Sequence, residues 1–409
     1  MVKEMTEKIS ITIVGGGIVG CAIAYELSKP GNVQIALLEQ NPSIPGDNQS
    51  SRNSGVIHAG IYYAPDTLIA RLCVEGNRLL YEFCKEHQVP HKQTGKLVVA
   101  VKPWQKEYLE DALKNAQANG VPDVRLISEP EAHEFEPQIN CTEGALYVPT
   151  SGIIEPVRLV EKLKKLAEEN GVYFLPKNKV VDIKPGEGSF LITTEISGQP
   201  RESFETEILI NAAGLYSDEL ARLVNPNSPY SIAVARGETA KFRKNKRPEL
   251  ELSGMNIYPA PYVTYNCNGE VAEVSLEKAK QLVSAGLATK TVGVHLTPTL
   301  GDYQGNYFDE AGNPIISDIV TIGPAKTASV SKEDYKPLRE ECYYHEKVSG
   351  FFPGLRLEDI ELYQTGNMAN LKGSSEWIIE SDPTYPNCIN LIGINSPGLT
   401  ASLAIAKYV

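Results

Sequence analysis

The sequence predicts an α/β fold: a nucleotide-binding domain on a mostly parallel sheet, carrying an inserted, mostly antiparallel α+β domain. Three observations point there. The segment ITIVGGGIVGCAIAYEL (11–27) joins an apolar strand to a helix through closely spaced glycines. The same strand–glycine–helix plan returns at 207–224 and at 388–409. Between these lie the runs GKLVVAV, SIAVARGETAKF, KTVGVHLTPTL and SDIVTIGP, rich in β-branched residues as antiparallel strands are.

The first unit is the most informative. Ile11 to Val14 suit a strand buried on both faces. Gly15, Gly17 and Gly20 then keep the GxGxxG spacing. The first permits a tight turn, the second lets backbone approach a pyrophosphate, and the third lets the helix pack on the strand. A helix from Ile18 to Leu27 would turn the N–H groups of Ile18 and Val19 and its positive dipole end toward phosphates. Pro30 and Gly31 stop it. Val33 to Leu38 form the next strand and lead to Glu39 and Gln40. An acid roughly 20 residues beyond the glycines is placed for ribose hydroxyls.

Strand, glycines, helix, strand and acid arrive in the order a dinucleotide needs, which a merely structural glycine turn does not explain. Two features favour FAD over NAD. No second GxGxxG occurs in the chain. The loop IPGDNQSSRNSGVIHAGIYY (44–63) is dense in small polar residues, and Ser50, Ser51, Arg52, Asn53 and Ser54 could satisfy ribityl and pyrophosphate oxygens. The expected fold is therefore a Rossmann-like FAD-binding domain holding its flavin non-covalently.

Further segments extend that domain. Pro156 to Asn170 reads as a helix with Val157, Val160, Leu163 and Leu166 on one face. VYFLP and NKVVDIKP follow as short strands, with Val180 a candidate cofactor contact. At Ala212, Ala213 and Gly214 a sharp strand-to-helix passage brings backbone close to a ligand, or is simply a tight turn. Ser396, Pro397, Gly398, Leu399 and Thr400 head the last helix, whose N–H groups could face a flavin ring or phosphate. The expected division gives 1–90, 150–230 and 355–409 to the FAD-binding domain, and 91–149 and 231–354 to a substrate-binding domain. Residues 268–290 read as a helical excursion.

Bulk properties narrow the partners. A formal net charge of −12 disfavours nucleic acid and anionic membrane but leaves a small acidic substrate open, since local cations set a pocket. Seven cysteines without a CxxC pair argue against a disulfide framework and for a reducing, cytoplasmic setting. The N-terminus MVKEMTEKIS lacks a signal-peptide layout. Glycines interrupt the long apolar stretch Ile11–Leu27, so it reads as strand and helix and no transmembrane segment is expected. Peripheral docking to a membrane stays open. The expected partners are a small-molecule substrate and an electron acceptor: oxygen, a quinone or another carrier.

SSRNSGVIHAGIYY (50–63) resembles the signature of the L-2-hydroxyglutarate dehydrogenase/oxidase group, within the D-amino-acid-oxidase-like (DAO) flavoproteins. The likeness continues through RLCVEGNRLLYEFC (71–84), SGIIEPVRLV, NAAGLYSDEL, NIYPAP and GVHLTPT to GINSPGLTASLAIA. It implies a two-domain fold, FAD, and oxidation of a 2-hydroxy acid to a 2-oxo acid, L-2-hydroxyglutarate to 2-oxoglutarate first among them. The chain also departs from the group. Where relatives carry a Gly-x-Arg-Pro-type segment it reads Thr365-Gly366-Asn367-Met368-Ala369-Asn370, with Met368 nearest the arginine that often clamps a substrate carboxylate. The stretches 268–290 and 302–314 are unusual too.

Removing a hydride from a secondary alcohol needs a base for the hydroxyl proton, and histidine suits that near neutral pH. His87 and His91 are separated by Pro90, and no metal site is read from them. His133 and His345 lie in charged stretches and read as solvated. His58 follows the flavin loop, and the resemblance puts it beside the isoalloxazine. His295 lies in a strand of the inserted sheet. His295 is the expected base, with His58 tuning the flavin or orienting substrate. Arg236 is the leading cation for an anionic substrate, or a solvated arginine at a strand end. Tyr62, Tyr258, Thr297 and Asn395 are candidate polar wall residues. Two other readings stay open here: an amine or amino-acid oxidase, and a flavin-binding protein with little turnover.

Overall fold

A computed structural model describes residues 9–196, 202–250, 252–267, 269–329 and 331–409. The N-terminal octet, on which the absence of a signal peptide was read, lies outside them. Two eight-stranded sheets organise the chain. The first runs in the order 178–185, 190–196, 202–211, 9–14, 35–38, 173–175, and its strand 202–211 also pairs with 388–392. Ile9–Val14 is parallel to Ile35–Leu38 and to Glu202–Asn211, and the latter is parallel to Cys388–Ile392. The hairpin 178–196 joins antiparallel at one side.

Period-two alternation explains why these strands read as continuous apolar runs. Ile13, Leu37, Ile210 and Leu391 bury one face against the helices Ile18–Ser28, Leu68–His87, Pro156–Glu169 and Gly398–Tyr408. Val14, Leu38 and Leu209 bury the other against Ser217–Val224 and the hairpin. Each large aliphatic side chain removed from water contributes about 1.5–3 kcal/mol, so both faces hold the layer in place.

The second sheet runs 361–371, 232–243, 316–328, 295–300, 256–259, 96–99, 145–148, 125–127. It is antiparallel apart from the pair Asn256–Pro259 and Lys96–Val99. The helix Glu341–Val348 covers one face and Lys106–Ala118 the other. Glu361–Leu371 is the outermost strand of this sheet, paired along Ile232–Arg243. The expected division gives that stretch to the FAD-binding domain, because no local signal in the sequence says which sheet a strand joins. The excursion at 268–290 is the helix Leu276–Ser284 beside a small three-stranded sheet. His133 and His345, read as solvated, are half-buried, and their ring nitrogens face the carbonyls of Ile139 and Leu355 at 2.9 and 3.2 Å. No helix among the described residues is long and apolar enough to cross a membrane.

Candidate active site

The loops at the carboxyl ends of the parallel strands and one face of the second sheet enclose a cavity of about 590 Å³. That is the size of pocket that holds a cofactor and a small substrate. At its nucleotide end stand Gly15, Gly17, Ile18 and Val19. Gly15 has φ +118°, and a Cβ there would lie 2.3 Å from the Ala212 carbonyl oxygen. Gly20 lies behind the wall, where its Cβ would meet the Gly15 carbonyl oxygen at 1.9 Å. Strand, turn and helix thus touch backbone to backbone, which leaves the helix start open to a ligand. Gly17, the N-cap, puts no side chain on the first turn, whose N–H groups beyond that of Ile18, which Ser50 takes at 2.8 Å, are available to phosphate oxygens.

Glu39 is buried. One carboxylate oxygen accepts from the Gly16 N–H at 2.7 Å, and the other from the Asn41 backbone and side chain at 2.8 and 2.7 Å. The oxygen facing Gly16 has a single donor and keeps lone-pair capacity for a ribose hydroxyl. Gln40, Asn53, Ser54, Ala212, Ala213, Gly214, Ser396, Pro397, Gly398 and Leu399 also line the cavity, as the sequence led one to expect. Arg52 lines it too, but its guanidinium pairs with Asp47, donates to the Thr365 carbonyl at 3.0 Å and lies 4.3 Å over the Tyr335 ring. It closes the loop onto the second sheet and is not free for a pyrophosphate.

Besides Gly20, five expected contacts fall elsewhere. Ser51 turns away and donates to the Gly46 carbonyl at 2.9 Å; its neighbour Ser50 lines the cavity and accepts from the Ile18 N–H at 2.8 Å. Val180 sits at a bulge on the outer hairpin, half-buried against the core. Thr400 is buried, and its hydroxyl oxygen accepts from the His58 N–H at 3.0 Å, so it positions that histidine. Thr297 lies behind the Tyr258 phenol. Arg236 is 2% exposed, pairs with Asp334 and donates to the Lys336 carbonyl at 2.7 Å. Gly237 faces the cavity, and neighbouring strand residues face opposite ways, so Arg236 points away. Asn395 does line the cavity, yet its amide is held by Trp377 at 3.1 Å and Asn370 at 2.5 Å.

The other end of the cavity gathers His58, Tyr62, Tyr63, Tyr258, His295 and Lys326. The His295 ring stacks on Tyr258 with centroids 3.6 Å apart. Its Nδ1 lies 3.1 Å from the Gly293 carbonyl, which only accepts, so Nδ1 carries the hydrogen and Nε2 keeps a bare lone pair. That Nε2 is buried without a hydrogen-bond partner among the described residues, as is the Tyr62 hydroxyl. Burial, reinforced by Lys96, pushes the His295 pKa down to about 3. His58 also lies well below the usual imidazole range, chiefly through burial; its Nε2 is 3.3 Å from the Ser396 hydroxyl. Both rings are therefore neutral at pH 7.

No motif or spacing in the sequence singles out Lys96 or Lys326. Lys96 is 1% exposed and its ammonium lies 3.8 Å over the Tyr258 ring, on a strand buried along its length. Burial pushes its pKa down to about 7. Free lysine titrates near 10.4, so between about pH 7 and roughly 10 the unfolded chain holds a proton that the folded one lacks. Stability then rises with pH across that window. Lys96→Met is expected to flatten the rise. The check is Tm against pH for both proteins; parallel curves would contradict it.

A glycine-built strand–helix turn with an acid behind it, facing a sheet that presents a neutral histidine, defines a flavin-dependent oxidoreductase. The chain belongs to the DAO family of FAD dependent oxidoreductases, whose family model matches residues 10–409. FAD is the cofactor, and the glycine cradle and open helix start fit it. The chain is 31% identical to a mitochondrial L-2-hydroxyglutarate dehydrogenase of Caenorhabditis elegans, over 98% of this chain and 92% of that one. It is 29% identical to a glycerol 3-phosphate dehydrogenase of Caloramator mitchellensis, over 98% of this chain and 72% of the other. Among solved structures, the dithionite-reduced L-alpha-glycerophosphate oxidase of Mycoplasma pneumoniae with FAD bound matches at a TM-score of 0.79 and 25% identity, covering 98% of this chain and 94% of that one.

Proposed function

We propose that the chain oxidises L-2-hydroxyglutarate to 2-oxoglutarate, with His295 as the base. The carrying observation is the unpartnered Nε2 of a neutral histidine on the cavity wall. FAD, when bound, would supply the hydride acceptor. Nε2 takes the hydroxyl proton while the C–H electron pair leaves with the hydride, so the carbon becomes a ketone. The Tyr62 hydroxyl, also unpartnered, donates to the substrate oxygen. His58, fixed by Thr400 and Ser396, bounds the far side. The first sheet serves the cofactor and the second the substrate. Electrons then pass to oxygen, a quinone or another carrier. Seven free thiols fit a reducing, cytoplasmic setting.

The relatives named for L-2-hydroxyglutarate support the substrate, and the one named for glycerol 3-phosphate supplies the main competitor. Anaerobic flavin bleaching separates them. L-2-hydroxyglutarate should reduce the flavin rapidly, while the D enantiomer, glycerol 3-phosphate and L-amino acids should not. Bleaching by one of those three and not by L-2-hydroxyglutarate would overturn the assignment.

A further inference from the structure

We infer that Lys326 is the residue that holds a carboxylate of the substrate. This deepens the functional reading above and rests on it. A dicarboxylic substrate entering this cavity needs a cation there, because a carboxylate that leaves water unpaired is strongly disfavoured. Among the described residues, two basic side chains line the cavity, Arg52 and Lys326. Arg52 is occupied by Asp47, the Thr365 carbonyl and the Tyr335 ring. Lys326 lines the cavity with its side-chain surface open, and no salt bridge or hydrogen bond to its ammonium is present among the described residues.

Strand register explains how the cation reaches that place. Lys326 pairs with Gly237, and Gly237 pairs in turn with Gly366. Paired residues on neighbouring strands share a face, so Lys326 stands at the end of a row with no other side chain. The next row on that face is Ala328, Ala235 and Met368. Met368 fills the space beside Gly237: a Cβ on that glycine would lie 3.4 Å from the methionine methyl and 3.3 Å from Pro324. Met368 offers methyl packing and no charge. The cation comes instead from two strands away, one row along. It also lies near the reacting end, since its charge helps to depress both His58 and His295.

A lysine is a compact point charge with three donors, unlike the planar fork of arginine. The contact should therefore tolerate exchange of one cation for the other better than loss of charge. The test uses the FAD-loaded protein and two readouts: the Kd of 2-oxoglutarate from its perturbation of the flavin spectrum, and KM and kcat for L-2-hydroxyglutarate. Lys326→Met is expected to weaken both Kd and KM by roughly 10- to 150-fold, the range for a lost charged hydrogen bond. Lys326→Arg should recover most of that loss, and added salt should weaken 2-oxoglutarate binding more in wild type than in Lys326→Met. Flavin content reports whether each variant is folded.

A yellow Lys326→Met protein that binds 2-oxoglutarate with the wild-type Kd overturns the inference. So does a Lys326→Arg protein as weak as the methionine variant. These outcomes are distinct from failure of the functional reading, which would appear in the wild type as flavin that L-2-hydroxyglutarate does not bleach.

Discussion

His295→Asn is expected to slow anaerobic flavin reduction by roughly 100- to 10,000-fold, the span for loss of a general base, while the protein stays yellow. Asparagine can still donate to the Gly293 carbonyl, which now faces Nδ1 at 3.1 Å, so the strand Gly293 precedes keeps its local bond. What disappears is the bare Nε2. The wild-type ring is neutral because burial and nearby lysines resist its protonation, which leaves the lone pair available but weakly basic. Substrate corrects this. A carboxylate against Lys326 offsets part of the positive field that holds the imidazole down, so proton affinity rises when there is a proton to take. His58→Asn should cost less, because the His58 Nε2 already has Ser396 at 3.3 Å and does not stand open. Stopped-flow reduction of both variants decides. Wild-type rates in His295→Asn, or a larger loss in His58→Asn, would move the base to the other ring.

The difference between the two ends of the cavity explains what the sequence made legible. The nucleotide end is written within about 30 contiguous residues: the glycine spacing, the helix start and Glu39 are neighbours in the chain as they are in space. The repeated strand–glycine–helix plan carries the reading to the strand–helix turns at 212–214 and 396–399. The substrate end is assembled from strands that begin at residues 96, 256, 295, 316 and 361, and nothing local announces which of their side chains meet. Arg236 shows the cost. ARGETA contains a conspicuous cation, but a shift of one residue on a strand reverses its face, and Gly237 is the residue turned inward. Lys326 and Lys96 are hidden for the complementary reason: each adjoins an apolar run, where a lysine reads as the point at which a strand meets solvent. Ser51 and Ser50 differ by one position in a turn, a distinction set by the Asn48 side chain accepting from the Ser50 N–H at 2.9 Å. Composition alone does not specify such a turn.

Gly15→Ala should give protein without flavin, and this is the largest effect the fold predicts. The residue lies at φ +118°, a region that side chains rarely adopt, and the added carbon would meet the Ala212 carbonyl at 2.3 Å from oxygen and 2.7 Å from carbon. Both obstacles are backbone, so no rotamer relieves them. Relief requires the strand Ile9–Val14 to part from Glu202–Asn211, with which it pairs in register up to Val14 and Asn211. That separation displaces the helix start that faces the phosphates. Gly31→Ala is the matched control: its φ is +72°, but nothing lies within 4 Å of the new carbon. It bears only the left-handed penalty of roughly 1–2 kcal/mol and should keep full flavin content with a small fall in Tm. Flavin absorbance per protein, measured on both after dialysis against FAD, distinguishes a clash at the phosphate turn from a general intolerance of alanine. If Gly15→Ala retains flavin as Gly31→Ala does, the pyrophosphate does not rest over this turn.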